Sequence, residues 1–223
     1  MVTAVPKVLL TGFDPFGHAD LNPSWLVAQA LHGRRIARHR IVAAQLPTVF
    51  GTSATELARL LRLHRPALVV CMGLAAGRGA ISLERVAINV NDARIPDNRG
   101  AQPLDGPVVE GGPSAYFSTL PVKVMLQAIR EAGIGAELSN SAGTFVCNHV
   151  FYALMHQLAK RKALRSTRGG LIHLPCLPEQ MATQGTIQSM ELAAMVRGLQ
   201  VGIRAALTHT GVRDLALAAG TTH

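Results

Sequence analysis

The stretch K-V-L-L-T-G at residues 7–12, followed by N-P-S-W-L-V-A-Q-A-L at residues 22–31, is an apolar run closed by a glycine and then a helix with its start signals in place. Val8, Leu9 and Leu10 form an apolar run that ends at Gly12, which predicts a strand ahead of the helix. Asn22 offers an N-cap oxygen, and Pro23 suits an early helical position whose N–H has no partner in any helix. The unit recurs along the chain. Residues 40–45 predict a strand, residues 52–63 an amphipathic helix through Leu57, Leu60 and Leu61, and residues 67–72 a strongly buried strand. Residues 81–90 predict a further strand or a hairpin, with Val86, Ile88 and Val90 alternating against Ala87 and Asn89. Residues 121–132 are helical by Val124, Leu126 and Ile129 and stop at Gly133; residues 136–139 then form a short strand. Residues 147–160 predict a helix, residues 170–174 a short strand ended by Pro175, and residues 189–207 a last helix with Leu192, Met195, Val196, Leu199 and Ile203 on one stripe. Such alternation predicts an α/β sheet covered on both faces.

The bulk properties agree with one folded unit. The chain has 223 residues, 48% hydrophobic and 16% charged, enough for a single large domain, and shows no internal repeat, low-complexity segment or interdomain linker. The start lacks the layout of a secretory signal, and no run is long enough to span a bilayer. Three cysteines, Cys71, Cys147 and Cys176, cannot all pair internally and have no metal-binding spacing, so a reducing cytoplasm is expected. The net charge of +9 invites a nucleic-acid reading. Its arginines and lysines fall in separate groups, however, and aromatics are only 4% of the chain and are not interleaved with them. Only weak, salt-sensitive affinity for polyanions follows. Between residues 91 and 113 the chain turns polar and rich in Gly and Pro, a loop of the length that serves a site or an interface.

Chemistry concentrates in S-N-S-A-G-T-F-V-C-N at residues 139–148, a glycine-bearing turn that delivers Cys147 to a helix start. Unpaired N–H groups and the positive end of the helix dipole favour a thiolate there and can also hold an oxyanion. A nucleophilic thiol needs a base. His149 is two positions away, on nearly the opposite helix face, and His156 lies well along the same helix. His173 lies in a short strand that runs into P-C-L-P-E-Q, and strand ends beside a helix start are where α/β sheets assemble their sites. Glu84 is a carboxylate in an otherwise apolar strand, a costly placement unless paired; it either orients a base or pairs with Arg85 or Arg94.

Four segments together resemble the pyrrolidone carboxyl peptidases, also called pyroglutamyl peptidase I, a cysteine peptidase family. They are T-G-F-D-P-F-G at 11–17, E-R-V-A-I-N-V-N-D-A-R-I-P-D-N at 84–98, S-N-S-A-G-T-F-V-C-N-H at 139–149 and I-H-L-P-C-L-P-E-Q at 172–180, in family order and spacing. The resemblance implies a three-layer α/β/α single domain over residues 1–223, with a central, mostly parallel twisted sheet, that commonly forms tetramers. It implies removal of an N-terminal pyroglutamyl residue from peptides without metal or cofactor. Cys147 falls on the family nucleophile, His173 on the base and Glu84 on the carboxylate that orients it. Phe13, Phe16 and Phe145 match the aromatic walls of the pocket, and Val146, Ile95 and Thr48 match further lining positions. Asn22 is expected to fix the loop that carries Phe13 and Phe16, and Arg94 to support the catalytic carboxylate. A lactam without a free amine needs such apolar walls, one acceptor for its N–H and one donor for its carbonyl.

Two departures stand out. Where the family usually reads G-Q-A-G-G, residues 73–77 read G-L-A-A-G, so Leu74 replaces a side-chain amide beside the expected lactam site: either its backbone carbonyl makes the contact, or affinity falls or a bulkier, more apolar ring is preferred. Cys176 stands where the family often has an aromatic residue and reads as a small buried apolar side chain. Two alternatives stay open on sequence alone. One is a same-fold phosphorolytic nucleosidase with its phosphate cradle at residues 73–79 and Arg78; the other is a non-catalytic polyanion-binding protein.

Overall fold

The computed structural model of the chain describes residues 5–17, 19–185, 188–211 and 213–220. A seven-stranded sheet forms the middle layer. In chain order the elements are β1 (Lys7–Phe13), α1 (Pro23–Leu31), β2 (Arg35–Ile36), β3 (His39–Leu46), α2 (Thr52–His64), β4 (Leu68–Leu74), β5 (Ile81–Glu84), β6 (Val86–Ile88), β7 (Ala115–Phe117), α3 (Val122–Glu131), β8 (Ala136–Ser139), α4 (Val146–Lys160), β9 (Arg168–Leu174), α5 (Met181–Gln184) and α6 (Leu192–Thr208), with short 3-10 turns at Lys162–Leu164 and Pro178–Gln180. The central order is β2-β3-β1-β4-β9-β5-β8. Pairing is parallel from β3 through β1 and β4 to β9 and again between β5 and β8, and antiparallel at β2–β3 and β5–β9.

Alternation along each strand sorts the core into two halves. Val8, Leu10, Val70, Met72 and Ile172 pack with α1, α3 and α6 on one face, through Val27, Met125, Ile129 and Leu199. Leu9, Val69, Cys71 and Leu171 face the other way, onto Leu57 and Leu61 of α2 and Val150, Phe151 and Leu154 of α4. The sheet covered on both faces that the alternating elements predict, and the three-layer α/β/α architecture that the resemblance implies, are therefore present. Gly73 and His173, each two residues beyond Cys71 and Leu171, point toward the layer that holds α4.

At the start of α1, Asn22 Oδ1 accepts from Ser24 N–H at 3.1 Å with Pro23 at the first position. Gly12 is required by a close approach of chains, because a Cβ there would collide with the backbone of Ser24 and Trp25. The stretch 81–90 departs from the expected single strand or hairpin. Its first half, β5, joins the central sheet, and its second half, β6, pairs with β7 in a separate two-stranded sheet. Arg85 is the hinge: its N–H goes back to Ser139 O and its carbonyl forward to Ser118 N–H.

Candidate active site

The turn ahead of α4 is tied down locally. The Ser139 hydroxyl donates to Ser141 O and accepts from Ser141 N–H, the Ser141 hydroxyl accepts from Gly143 N–H, Gly143 takes the left-handed conformation at φ 74°, and Thr144 Oγ1 donates to Asp92 O at 2.7 Å. Phe145 then enters α4 extended, with no side-chain cap, so the first-turn N–H groups around Cys147 have no side-chain partner. Asn148, fully buried, locks this turn to the neighbouring strand. It accepts from Ile88 N–H and donates to Ile88 O and Val90 O, all within 3.1 Å.

His173 sits near the end of β9, directly opposite Gly73 of β4 and Ser82 of β5. Two residues past Ser82, Glu84 ends β5 with its carboxylate at the imidazole. His173 Nδ1 donates to Glu84 Oε1 at 2.8 Å, which directs Nε2 to the thiol. The missing side chain of Gly73 makes room for the pair: a Cβ there would lie 2.7 Å from Cys147 Sγ and 3.4 Å from His173 Nε2. Glu84 is fully buried and His173 is 5% exposed.

Burial by itself would lower the His173 pKa. The charge and hydrogen bond of Cys147, and then those of Glu84, outweigh it and raise His173 to about 9. Burial would likewise raise Glu84, but the hydrogen bond and charge of His173, with help from Ser139 and Arg78, hold it below the usual carboxylate range. Cys71 is different: burial pushes it to about 12, so it is an inert core thiol. Cys176 is fully buried and also raised by burial, in keeping with a small apolar filler.

The cation on Glu84 is Arg78. Its Nη1 reaches Glu84 Oε1 at 2.8 Å and its Nη2 reaches Ser141 O at 3.2 Å, joining the carboxylate to the cysteine turn. The two arginines weighed from sequence lie elsewhere: Arg94 is exposed, and Arg85 bonds Asn140 at 3.3 Å. Sequence separation misled here, because β5 enters the sheet antiparallel to β9 and brings the residue before the strand, rather than those after it, to the carboxylate. The same pairing occupies the one cation of the proposed phosphate cradle.

Beside Cys147 opens a cavity of about 330 Å³. Phe13, Phe16, Asn22, Thr48, Leu74 and Phe145 line it, together with Ala19, Leu21 and Ala76, and none of its described lining side chains is charged. Phe16 packs on Phe145 at 5.2 Å between ring centroids. Val146 and Ile95 do not line it: Val146 is buried in the core, and Ile95 is 38% exposed on the long loop. Asn22 Nδ2 donates to Asp14 O, and Asp14 Oδ1 accepts both the N–H and the hydroxyl of Thr48 at 2.7 Å, so two walls share one knot. The loop over residues 91–113 is fastened behind them. Buried Asp97 accepts from Phe50 N–H, and Asn98 donates to Pro15 O. Asn148, Arg78 and Asp97 were not singled out for this site by sequence reasoning; Asp97 and Asn148 lie inside matched motifs, and Arg78 six residues before Glu84.

Among the described residues, no cluster of His, Cys, Asp or Glu is placed to hold a metal ion, and no helix is long and apolar enough to cross a membrane.

A thiol at an uncapped helix start, an imidazole beside it and a buried carboxylate behind the imidazole, on an α/β sheet, is the constellation of a cysteine hydrolase. Comparison with known proteins narrows the class. The pyroglutamyl peptidase family model matches residues 6–209, and the chain belongs to this family. It is similar to the pyrrolidone-carboxylate peptidases of Cupriavidus taiwanensis (52% identical, covering 94% of this chain and 97% of the relative) and Bacillus cytotoxicus (49%, covering 97% and 99%). Among solved structures, pyroglutamyl peptidase I of Bacillus amyloliquefaciens superposes with a TM-score of 0.91 at 42% identity, covering 96% of this chain and 99% of that one. A mutant pyrrolidone carboxyl peptidase of Pyrococcus furiosus gives 0.86 at 40% identity over 90% and 98%.

Proposed function

We propose that the chain is a cysteine exopeptidase that hydrolyses the bond after an N-terminal pyroglutamyl residue, with Cys147 as nucleophile, His173 as acid and base, and Glu84 orienting the imidazolium. The observation that carries this reading is the shared space at Gly73, where Cys147 Sγ and His173 Nε2 converge beside an uncharged cavity. A neutral lactam suits such walls, and Phe13, Phe16, Phe145 and Thr48 are its supports. Leu74 adds apolar surface, so its backbone carbonyl is the acceptor left for the ring N–H.

In the reaction, the Cys147 thiolate attacks the pyroglutamyl carbonyl carbon, forming the C–S bond and pushing the carbonyl pair onto oxygen. The uncapped N–H groups of α4 are the donors for that oxyanion. His173, which holds its proton to about pH 9, gives it to the departing amine as the C–N bond breaks. Neutral His173 then takes a proton from water, which attacks the thioester and releases pyroglutamate and the thiolate. Glu84 keeps the imidazolium in register throughout. We place this chemistry in a single peptidase domain over residues 1–223, working without cofactor, in a reducing cytoplasm as the three cysteines imply and in a homotetramer as the family resemblance implies. Polyanions bind only non-specifically through the surplus charge.

Purified, reduced protein is tested for release of a fluorophore from a pyroglutamyl amide, beside Cys147→Ala and an iodoacetamide-treated sample. Turnover that vanishes in both controls supports the reading, and a folded, reduced protein without turnover overturns it. Light scattering that reads one 23.7 kDa chain rather than four would remove the tetramer.

A further inference from the structure

His149 is two residues past Cys147 on α4 and only 7% exposed, yet it does not face the thiol. Its ring joins three separate segments. Nε2 accepts from Gly51 N–H at 3.1 Å, at the start of α2. Because a backbone N–H can only donate, Nε2 carries no proton, so Nδ1 holds it and donates to Asn91 Oδ1 at 3.0 Å, at the start of the long loop. The ring also stands edge-on to Phe50 at 5.5 Å between centroids, and Phe50 stands edge-on to Phe145 at 5.3 Å. Phe145 in turn packs on Phe16, so a continuous row of rings runs from His149 to two walls of the cavity.

We infer that His149 is a positioning residue for substrate: held neutral, it sets the Thr48–Gly51 turn and the Phe50–Phe145 pair against the nucleophile helix, and so fixes the width of the ring pocket. This inference rests on the pyroglutamyl peptidase reading of the cavity. An imidazole is required, since one ring must accept from a backbone N–H, donate to an amide oxygen and present an aromatic face. A proton on Nε2 would set two donors against each other and loosen the joint. Burial alone depresses the His149 pKa, to about 4. The ionisable groups on the segments packed around it are engaged elsewhere or exposed. Asp97 is bound to Phe50, Arg99 and Ala101 N–H groups, Asp92 is exposed, Glu56 is paired with Arg59, and Cys147 faces His173.

The test compares His149→Phe, which keeps an aromatic ring and loses both hydrogen bonds, with His149→Gln, which keeps an acceptor and a donor. Hydrolysis of a pyroglutamyl amide, the rate of Cys147 alkylation by iodoacetamide and the melting temperature are read for each. The expected result for His149→Phe is a KM raised about tenfold, with kcat and alkylation rate within twofold of wild type, and partial recovery of KM in His149→Gln. An unchanged KM in a folded His149→Phe, or a loss confined to kcat, overturns the inference. Should His149→Phe fail to fold, a His149→Gln variant with wild-type KM would overturn it as well. Failure of the peptidase reading shows separately, as absence of turnover in the wild type.

Discussion

Replacing Gly73 with alanine puts one methyl group where the nucleophile and base meet. Backbone conformation is no obstacle, since Gly73 is not among the residues with positive φ. The obstacle is the 2.7 Å between the new Cβ and Cys147 Sγ, with His173 Cδ2 and Nε2 at 3.3 and 3.4 Å. Ordinary contact needs about 3.5 Å or more, so the sulfur or β4 must move by about 0.8 Å. Cys147 is held by a helix turn that Asn148 bonds to β6, and His173 by Glu84, so neither yields freely. A misplacement of about 1 Å costs on the order of 100-fold in rate, while overpacking one methyl costs about 1–3 kcal/mol of stability. The expected outcome for Gly73→Ala is a folded protein with kcat/KM on the pyroglutamyl amide reduced about 100-fold and alkylation of Cys147 slowed. A variant within threefold of wild type in both assays would refute the assigned convergence at Gly73.

In Glu84→Gln, His173 loses its anion and faces an amide able to enforce the wrong tautomer. A fall in kcat of about 10³-fold is expected in a folded protein, with the alkaline limb of the pH profile moved down as the His173 pKa drops from about 9, and an undiminished rate would remove Glu84 from the mechanism. Stability should depend on pH from both sides. His149, lowered to about 4, withdraws about 3 kcal/mol as pH falls from about 6.5 to 4, because the unfolded chain takes the proton first. His173, raised to about 9, contributes in full below about pH 6.5 and loses its share as pH rises to 9. Urea midpoints should therefore peak near neutrality, and His149→Phe should flatten the acid side. Asp214 caps α3 from the far end of the chain, accepting from Lys123 and Val124 N–H at 2.8 and 3.0 Å where Pro121 supplies no side-chain cap. Asp214→Ala should cost about 1 kcal/mol, seen as a melting temperature lower by about 2–4 °C with kcat/KM unchanged.

What could be read in advance is what depends on neighbours in sequence. Val8 to Leu10, Leu57 to Leu61 and the Asn22-Pro23 start declare their elements through periodicity and capping, and β1, α1, α2, β8 and α4 begin within a residue or two of expectation. Strand order depends on loop closures that no local pattern records. The antiparallel entry of β5 between β9 and β8 was therefore invisible, and with it the split of residues 81–90 and the choice of Arg78 over Arg94. β7 was missed because three residues after a Pro- and Gly-rich loop carry no period. Cys147, His173 and Glu84 were legible as chemistry because each is anomalous where it stands: a thiol at a helix start, an imidazole at a strand end, a carboxylate in an apolar strand. Gly73 and Asn148 are not anomalous. Their importance comes from an absent atom and from three hydrogen bonds to another element, and both exist only once β4, β9 and α4 are assembled.

The two buried histidines show how one fold sets opposite protonation states a short distance apart in the chain's interior. Exposure does not separate them, since His149 is 7% and His173 5% exposed, and burial alone would lower both. Partners decide. Against His149 the protein sets a backbone N–H and a neutral amide oxygen, so nothing offsets desolvation and the imidazole stays neutral. Against His173 it sets a thiol and a carboxylate, and the carboxylate is held ionised by the imidazolium itself, with Ser139 and Arg78 in support. Both arrangements hang on the first turn of α4: Cys147 turns one histidine into an acid, and His149, half a turn on, carries the walls that receive the substrate. A helix start without a side-chain cap thus serves chemistry on one side and pocket shape on the other, and the buried Asn148 between them keeps the two in register.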